Sequence, residues 1–324
     1  MTILVTGACG FIGSWTVRRL LEYGERVVLT DLKRDYHRLR YVVGDPEKHP
    51  FVEGDISVPG FLDDVLSRFR VDAVIHLAAF QIPQCRANPV QGALVNVVGT
   101  VNVFEACRKH IGQVRRVVYA SSAAVYGPPE IYGEGPVPVN AILRPTTHYG
   151  AYKVCNELTA NAYWHEAGIS SAGFRPQVVY GYGRDVGVTS DATRALKAGL
   201  ARIPFKIRFG GMIDLQYVED VADLFVKAAL KDYPGARVYN IRGTVMHVSD
   251  LIKLIEVLIP ESKGLLTYED KPLPIPAVLD DSETERDFGP LLRTPPEEGL
   301  AQTIQFFRNL LARGELDLTD LKPQ

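Results

Sequence analysis

The stretch TGACGFIG at residues 6–13 decides the fold, because it joins a short apolar run to a helical pattern. Its glycines, Gly7, Gly10 and Gly13, suit a tight turn whose backbone can approach a pyrophosphate closely. The free amides and positive dipole end of the following helix favour the same negative charge. Three glycines alone are a weak pattern, but the strand–turn–helix context favours a dinucleotide-binding turn.

An acidic residue ends the second apolar run, RVVLTD at 26–31. The carboxylate of Asp31 can accept hydrogen bonds from the adenosine ribose hydroxyls, and it would repel a 2′-phosphate. Lys33 and Arg34 follow at once and could accept such a phosphate, but a strand-end acid outweighs basic loop residues. The sequence therefore predicts NAD rather than NADP. Without the glycines, an ordinary turn residue would be the better interpretation of Asp31.

Short apolar runs alternate with helical patterns through the first half of the chain. The runs are ILVT (3–6), RVVLTD (26–31), AVIHLA (73–78) and RRVVYAS (115–121). Such alternation predicts an α/β fold with a doubly wound, parallel Rossmann-type sheet. We expect an NAD-binding Rossmann domain at 1–175. A smaller, mixed α/β and mainly substrate-binding lobe follows at 176–324, and some of its segments return to the Rossmann sheet.

Two irregular stretches interrupt this pattern. Residues 127–147 form a Pro- and Gly-rich loop of about twenty residues, a length that is usually functional inside a compact domain. The segment KPLPIPAV at 271–278 is a second one.

Composition argues against several other classes of protein. The 324 residues include 36 Lys and Arg and 38 Asp and Glu, a formal net charge of −2, so nothing suggests a nucleic-acid or anionic-membrane partner. No uninterrupted apolar run of 18 residues occurs, and the first residues lack signal-peptide features, so we expect no membrane span and a cytoplasmic protein. The four cysteines are scattered and the seven histidines form no ligand motif, which predicts free thiols and no metal site.

Four further motifs follow the glycine turn in a fixed order. They are HLAA (76–79), SSAAVYG (121–127), YGAYK (149–153) and FRPQVVYG (174–181). Together they resemble the extended short-chain dehydrogenase/reductase family, in particular its NAD-dependent sugar epimerases and dehydratases. The likeness covers most of the chain and is strongest over residues 1–185. It implies hydride transfer between NAD and a secondary alcohol of a carbohydrate-type substrate, and we expect a homodimer.

Tyr149 is the candidate catalytic base, and Lys153 is the cation that would lower its pKa. One helical turn separates them, so both face the same side, where a cation favours the phenolate. Lowering a phenol pKa from about 10 to about 7, worth roughly 4 kcal/mol, makes half the population a competent base. The resemblance implies the same roles, and a lysine that also holds the nicotinamide ribose. The alternative is a coincidence of two common surface residues.

Ser122 matches the family's serine or threonine that hydrogen-bonds the reacting hydroxyl, although a strand-end hydroxyl is otherwise an ordinary cap. Tyr126 and Tyr152 have no lysine four residues on, and we interpret them as packing or substrate-lining residues.

The resemblance places a further set at the cofactor: backbone of Phe11 and Ile12 at the pyrophosphate, Asp55 and Ile56 at the adenine, Leu77, Ala78 and Ala79 along its path, Asn96 as a brace, and Pro176 near the nicotinamide. Asp55 and Asn96 could instead be plain caps or turns, and His76 a satisfied core histidine.

The sequence departs from the family pattern at several positions. Ala123 and Ala124 replace the Asp-Glu pair of relatives that eliminate water, which disfavours dehydratase activity. Val178 replaces a frequent asparagine, and Ile213 replaces the arginine that grips a phosphate in nucleotide-sugar relatives. Both losses weaken the case for a nucleoside diphosphate on the substrate.

Candidate substrate contacts lie in segments that flank the motifs. They are Gln81, Ser122, Thr147, Arg184, Lys206 and Arg208. Lys206 and Arg208 alternate in PFKIRF and could replace the missing phosphate grip, or could belong to a solvated edge strand. We favour epimerisation of a (nucleotide) sugar through a keto intermediate. The alternatives are net dehydrogenation of a small sugar, sugar acid or related alcohol, and a non-catalytic nicotinamide sensor, against which the intact Ser-Tyr-Lys set argues.

Overall fold

A computed structural model of the chain describes residues 1–321. Its strands are β1 (Thr2–Thr6), β2 (Arg26–Asp31), β3 (Phe51–Glu53), β4 (Ala73–His76), β5 (Arg116–Ala120), β6 (Ser170–Arg175), β7 (Val178–Tyr180), β8 (Phe205–Ile207), β9 (Met212–Tyr217), β10 (Ala236–Asn240), β11 (Thr244–His247) and β12 (Leu266–Tyr268). Its helices are α1 (Phe11–Glu22), α2 (His37–Val42), α3 (Phe61–Phe69), α4 (Ile82–Ala87), α5 (Pro89–Ala93), α6 (Gly99–Lys109), α7 (His148–Ala167), α8 (Asp191–Ala201), α9 (Val218–Leu230), α10 (Val248–Leu258), α11 (Ser282–Phe288) and α12 (Pro296–Ala312).

A seven-stranded sheet in the order β3-β2-β1-β4-β5-β6-β10 forms the centre of the molecule. Every neighbouring pair in it is parallel. The chain runs outward from β1 to β3 and then crosses back to β4, so the strand order reverses between β1 and β4. This confirms the predicted doubly wound fold. In such sheets a ligand crevice opens at the carboxyl ends of the strands beside this reversal.

Both faces of the sheet are covered because its strands are apolar throughout. Ile3 and Val5 of β1 belong to a core cluster with Trp15 of α1, whereas Leu4 between them belongs to a second cluster with Phe104 of α6. Alternate residues of a strand point to opposite faces, so the near-continuous apolar runs in the sequence correspond to burial on two sides.

The second half of the chain contributes to both parts of the molecule. A three-stranded sheet, β11-β9-β7, and a two-stranded one, β12-β8, lie outside the central sheet. β10, by contrast, pairs with β6 from Ala236 opposite Ser171 to Asn240 opposite Arg175. Helix α9 packs on α1. The division at 175/176 stays a prediction.

One helical stretch, Pro89–Lys109, is long and apolar enough to cross a membrane by length and composition alone. It comprises α5, a π-helical segment Leu94–Val98 and α6. Val103 and Phe104 are buried in the second core cluster. The core helix of a globular fold meets the same criterion, and this one packs on α3 and α7.

The loop 127–147 contains one short 3₁₀ turn, Pro129–Ile131. Val137 pairs with Leu279 and forms a small apolar cluster with it and Tyr126. Thr146 and Thr147, at its end, reach the cavity described below.

Candidate active site

A cavity of about 800 Å³ opens at the carboxyl edge of the central sheet, beside the reversal of strand order. It extends from the glycine turn after β1 to β7, to Arg208 and Phe209 after β8, and to the segment 269–275 of the second half. All the predicted site residues line it except Asn96 and Lys206. Motifs spread over some two hundred residues of the chain thus meet in one cavity.

The glycine turn has no room for larger residues. A Cβ at Gly13 would lie 2.0 Å from the Gly7 carbonyl oxygen, and one at Gly7 would lie 2.6 Å from the Ala78 amide. Gly7 also has φ +70°, a conformation that glycine adopts without strain. The first turn of α1 carries no acidic residue and no side-chain cap. Its amides therefore suit the pyrophosphate of NAD, as predicted for Phe11 and Ile12.

Asp31 lies at the end of β2 and lines the cavity. One of its oxygens accepts the Cys9 amide at 3.0 Å and the other accepts the Leu32 amide at 2.8 Å, which fixes the carboxylate against the glycine turn. Burial raises the pKa of Asp31, and the two amides and the charge of Arg38 oppose that rise. The fit to an adenosine ribose is good, because an ionised carboxylate retains acceptor capacity beyond these two bonds.

The other predicted cofactor residues follow the strand ends. Asp55 lines the cavity and also caps a turn, since its Oδ1 accepts the Ser57 amide at 2.8 Å. Asn96 lies outside the cavity wall: its side chain accepts the Phe80 amide at 2.7 Å and donates to the Phe80 carbonyl at 2.9 Å. It therefore braces the segment after β4 and does not face the cofactor space. His76 is a core histidine, bonded to Thr6 and Thr100, and burial lowers its pKa to about 3.

The catalytic candidates meet where α7 begins. The hydroxyl of Thr147 caps this helix by accepting the Gly150 amide at 3.0 Å. A Cβ at Gly150 would lie 2.2 Å from the Ala124 carbonyl oxygen, so this glycine lets the helix approach the turn that follows Ser122. Ser122 and Tyr149 both line the cavity, and the Ser122 hydroxyl is near enough to lower the pKa of the Tyr149 phenol through hydrogen bonding. The structure thus brings the predicted base and its partner together.

The pKa of the phenol differs from the sequence-based expectation. Burial raises the pKa of Tyr149, while the Ser122 hydrogen bond and the charge of Arg184 lower it. Lys153 donates to the Ala120 carbonyl at 2.6 Å, and its Nζ lies 5.6 Å from the centre of the Tyr149 ring. Burial lowers the pKa of Lys153 to about 8. Arg184 is thus a cation that lowers the pKa of the phenol, a role that the sequence did not indicate.

A buried ion pair supports the catalytic helix from behind. Arg175 donates from Nε to one oxygen of Glu157 at 2.9 Å and from Nη2 to the other at 2.7 Å. Glu157 lies one turn after Lys153 on α7 and also accepts the hydroxyl of Ser121, which precedes Ser122. The pair therefore ties α7 to the strand ends that carry the serine.

Tyr126 and Tyr152, interpreted from the sequence as packing or substrate-lining residues, form hydrogen bonds within the fold. Tyr126 is buried and donates to Asn240 at 2.8 Å, and Tyr152 donates to the Pro89 carbonyl at 2.8 Å. Neither lines the cavity.

The two residues of PFKIRF have different environments. Arg208 lines the cavity and donates from Nε and Nη2 to Asp191 at 2.8 Å each. Lys206 is exposed, and its amine lies 3.6 Å from Glu269. Lys206 lies within β8, whereas Arg208 lies just after its last residue, Ile207. The interpretation of Lys206 as a substrate contact therefore receives no support, whereas a solvated strand residue fits.

Several cavity residues carried too little signal to be predicted. Gln177 follows Pro176. Its side-chain oxygen accepts the Asp214 backbone amide at 2.8 Å, and its side-chain nitrogen donates to the Pro276 carbonyl at 2.8 Å. Thr189 and Lys271 also line the cavity. For Lys271 the available signal was its place in the irregular stretch KPLPIPAV. Within residues 1–321, no group of three or more His, Cys, Asp or Glu side chains could hold a metal ion.

Comparison with known proteins supports this picture. Residues 3–241 match the model of the NAD-dependent epimerase/dehydratase family. The chain belongs to this family. The resemblance predicted from the motifs is thereby confirmed, and the protein is an NAD-dependent enzyme of the extended short-chain dehydrogenase/reductase type.

Several family members are similar over nearly their whole length. The UDP-glucose 4-epimerase of Mycolicibacterium smegmatis is 34% identical, with 95% of this chain and 99% of that protein covered. The Thermotoga maritima UDP-glucose 4-epimerase, solved with UDP-glucose, is 26% identical with a TM-score of 0.82 and covers 96% of this chain and 100% of its own. MoeE5, solved with UDP-glucuronic acid and NAD, is 27% identical with a TM-score of 0.79 and covers 95% and 99%.

Proposed function

We propose that this enzyme epimerises a nucleotide sugar. One secondary alcohol of the sugar is oxidised to a ketone, the ketone turns in the cavity, and reduction from the other face inverts the carbon. Bound NAD supplies the hydride acceptor and then the hydride donor. The proposal agrees with the activity named for the similar enzymes of Mycolicibacterium smegmatis and Thermotoga maritima.

The placement of Ser122, Tyr149 and Lys153 together in the wall of one cavity carries the proposal. The two hydroxyls can share a substrate alcohol, with Ser122 orienting it and Tyr149 taking its proton and later returning it. Lys153, fixed on the Ala120 carbonyl, presents its remaining N–H donors to the cofactor side of the cavity. Ala123 and Ala124 supply no acid or base, so elimination of water has no proton donor there.

A second candidate, net dehydrogenation of a small sugar acid, is favoured by one observation. Ile213, at the position of the family's phosphate-gripping arginine, is completely buried in β9. The nucleotide handle must then be held by other groups, for which Arg208 and Lys271 of the cavity wall are the candidates. Lys271, together with the similarity to nucleotide-sugar epimerases, keeps epimerisation ahead.

Cofactor turnover distinguishes the two reactions. We expect UDP-glucose or a related nucleotide sugar to give its inverted isomer, detected by NMR, without accumulation of NADH at 340 nm. We also expect NAD(H) to be released when freshly purified protein is denatured and examined by mass spectrometry. Stoichiometric NADH formation with a free sugar acid, and no inverted product from any nucleotide sugar, would establish the dehydrogenase instead.

We further infer that the enzyme is a cytoplasmic homodimer. Val90, Leu94 and Val98 lie at successive turns of the stretch Pro89–Lys109 and are 73%, 41% and 36% exposed. Leu158 on the neighbouring helix α7 is 64% exposed. A second copy placed on these two helices would cover the four side chains. Light scattering should give the mass of a dimer, and Leu94→Glu should shift it towards the monomer. The four free thiols suit a reducing compartment.

A further inference from the structure

Arg184 differs from Arg208, another arginine of the cavity wall, in the partners it has. Its Nη1 donates to the Gln81 side chain at 3.3 Å and its Nη2 to the Thr189 hydroxyl at 2.9 Å. Both acceptors are neutral, and the neighbouring carboxylate of Asp185, whose charge also acts on Arg184, is paired with Arg38. Arg208, in contrast, is neutralised by two bonds to Asp191.

A guanidinium without a counter-ion is costly in such a place. Arginine cannot lose its proton in a protein, so burial leaves the charge and its desolvation cost in place. Burial lowers the pKa of Arg184, in keeping with that cost. Gln81 and Thr189 orient the planar fork without neutralising it. A guanidinium has five N–H donors, so after these two bonds each terminal nitrogen retains one donor for a ligand.

The position of Arg184 points to the substrate half of the cavity. It follows β7, and its partner Thr189 lies in the 3₁₀ turn Val188–Ser190 that leads into α8. The charge of Arg184 acts on the phenol of Tyr149. Its guanidinium carbon lies 5.8 Å from the centre of the Phe11 ring, at the start of α1. An anion bound here would lie beside the reacting alcohol and at the border with the cofactor.

We propose that Arg184 is a specificity-determining residue that binds a carboxylate of the sugar, so that the preferred substrate is a sugar acid. The planar fork matches a carboxylate, which can take one bond from each terminal nitrogen. This inference rests on the proposed hydride transfer at a sugar alcohol, and it adds the acidic group to that substrate. The carboxylate can belong to a nucleotide uronate or to a free uronate.

Four ligands separate these sources. UDP-glucuronic acid and UDP-glucose differ in the carboxylate, as do free glucuronic acid and glucose, and each pair is compared on the NAD-loaded enzyme by calorimetry and by turnover. Hydrogen bonds to charged groups are worth about 1.5–3 kcal/mol. We therefore expect the acid of the productive pair to have a kcat/KM roughly tenfold to a hundredfold above its neutral partner.

Arg184→Gln tests the residue itself, with Arg237→Gln as matched control. Arg237 is an exposed arginine of β10 that pairs with Asp287 and does not line the cavity. Arg184→Gln should reduce the ratio of kcat/KM for acid over neutral ligand to about one, while Arg237→Gln keeps the parental ratio. Arg184→Lys should restore part of it, because the charge returns without the fork. Titration of NAD should give the same affinity for all variants within about threefold.

Three outcomes would overturn the inference. Equal kcat/KM for acid and neutral ligands in the parent enzyme would show that the enzyme does not recognise the carboxylate. An unchanged ratio of kcat/KM for acid over neutral ligand in Arg184→Gln would show that Arg184 does not bind the carboxylate. A fall in NAD affinity as large as the fall in the ratio assigns Arg184 to the cofactor's pyrophosphate. Failure of the proposed function looks different: NADH accumulates with glucuronic acid and neither nucleotide sugar is inverted, yet the acid preference still disappears in Arg184→Gln.

Discussion

Replacement of Lys153 by methionine should make the cofactor-free protein more stable at neutral pH while it abolishes activity. The Lys153 side chain is almost fully buried, and its amine donates to the neutral Ala120 carbonyl. Methionine has a similar length and carries no charge, so the substitution removes a desolvated cation at little cost in packing.

The size of the effect follows from the pKa. Burial lowers the pKa of Lys153 from its ordinary 10.5 to about 8. Below pH 8 the amine is charged in both the folded and the unfolded protein, and the charge costs the folded state roughly 3 kcal/mol. The variant gains this roughly 3 kcal/mol but loses the hydrogen bond to the Ala120 carbonyl, which offsets about 1 kcal/mol of the gain. Lys153→Met should therefore raise the free energy of unfolding by roughly 2 kcal/mol at pH 7.

The sign of the pH dependence is a further test. Between pH 8 and 10.5 the folded protein releases the proton first, so the unfolded state binds more protons and the stability of the parent rises with pH. At pH 10 the cost has fallen below roughly 1 kcal/mol, and parent and variant should be equally stable. Saturating NAD should reverse the order at pH 7, because a ligand that binds only the folded state stabilises the better binder more.

Urea denaturation at pH 7 and pH 10 measures these differences. Lys197→Met is the matched control, since Lys197 is also buried but donates to both oxygens of Asp320 at 2.9 and 2.8 Å. Its replacement leaves a carboxylate without its cation and should destabilise the protein at both pH values. If Lys153→Met were less stable than the parent at pH 7, or its advantage grew with pH, the assignment of a charged, desolvated amine would be wrong.

Three further predictions concern the site and its support. Tyr149→Phe should keep its affinity for NAD in calorimetry and lose at least about a hundredfold in turnover, the contribution of one general base; near-parental turnover would contradict that role. Asp31→Ala should narrow the preference for NAD over NADP in fluorescence titrations, and an unchanged preference would disprove the contact with the ribose. Glu157→Gln should lower the free energy of unfolding by about 3 kcal/mol, because it leaves a buried guanidinium without its carboxylate. Glu47→Gln, from an exposed pair with Arg40, is its control in urea denaturation, and equal effects would refute the reasoning.

The parts of the fold that could be predicted have local causes. β1, β2, β4 and β5 are short apolar runs because both faces of the sheet are covered, and the glycine turn leaves no space for a Cβ at Gly7 or Gly13. The Tyr149–Lys153 pair is a matter of helical spacing. Each feature can be read from fewer than ten consecutive residues.

The parts that could not be predicted depend on partners distant in the sequence. β9 contains the buried polar residues Asp214 and Gln216, which local patterns do not assign to a strand. Their hydrogen bonds go to the Gly243 amide and the Ile241 carbonyl. The direction of the Tyr149 pKa could not be predicted for a similar reason: burial raises this pKa, and Arg184, which lowers it, lies 35 positions along the chain.

The return of β10 to the central sheet has a consequence for how the chain is made. β6 ends at Arg175, and its outer neighbour β10 begins at Ala236, so residues 176–235 must leave the ribosome before the sheet can be completed. Until then β6 presents a row of unpaired backbone groups, which is the kind of edge that invites association with other chains. Tyr149 and Lys153, the proposed catalytic residues, precede this edge. Nascent chains therefore contain these two residues before β10 is available to cover the β6 edge. A chaperone that binds the β6 edge would act during the synthesis of these sixty residues.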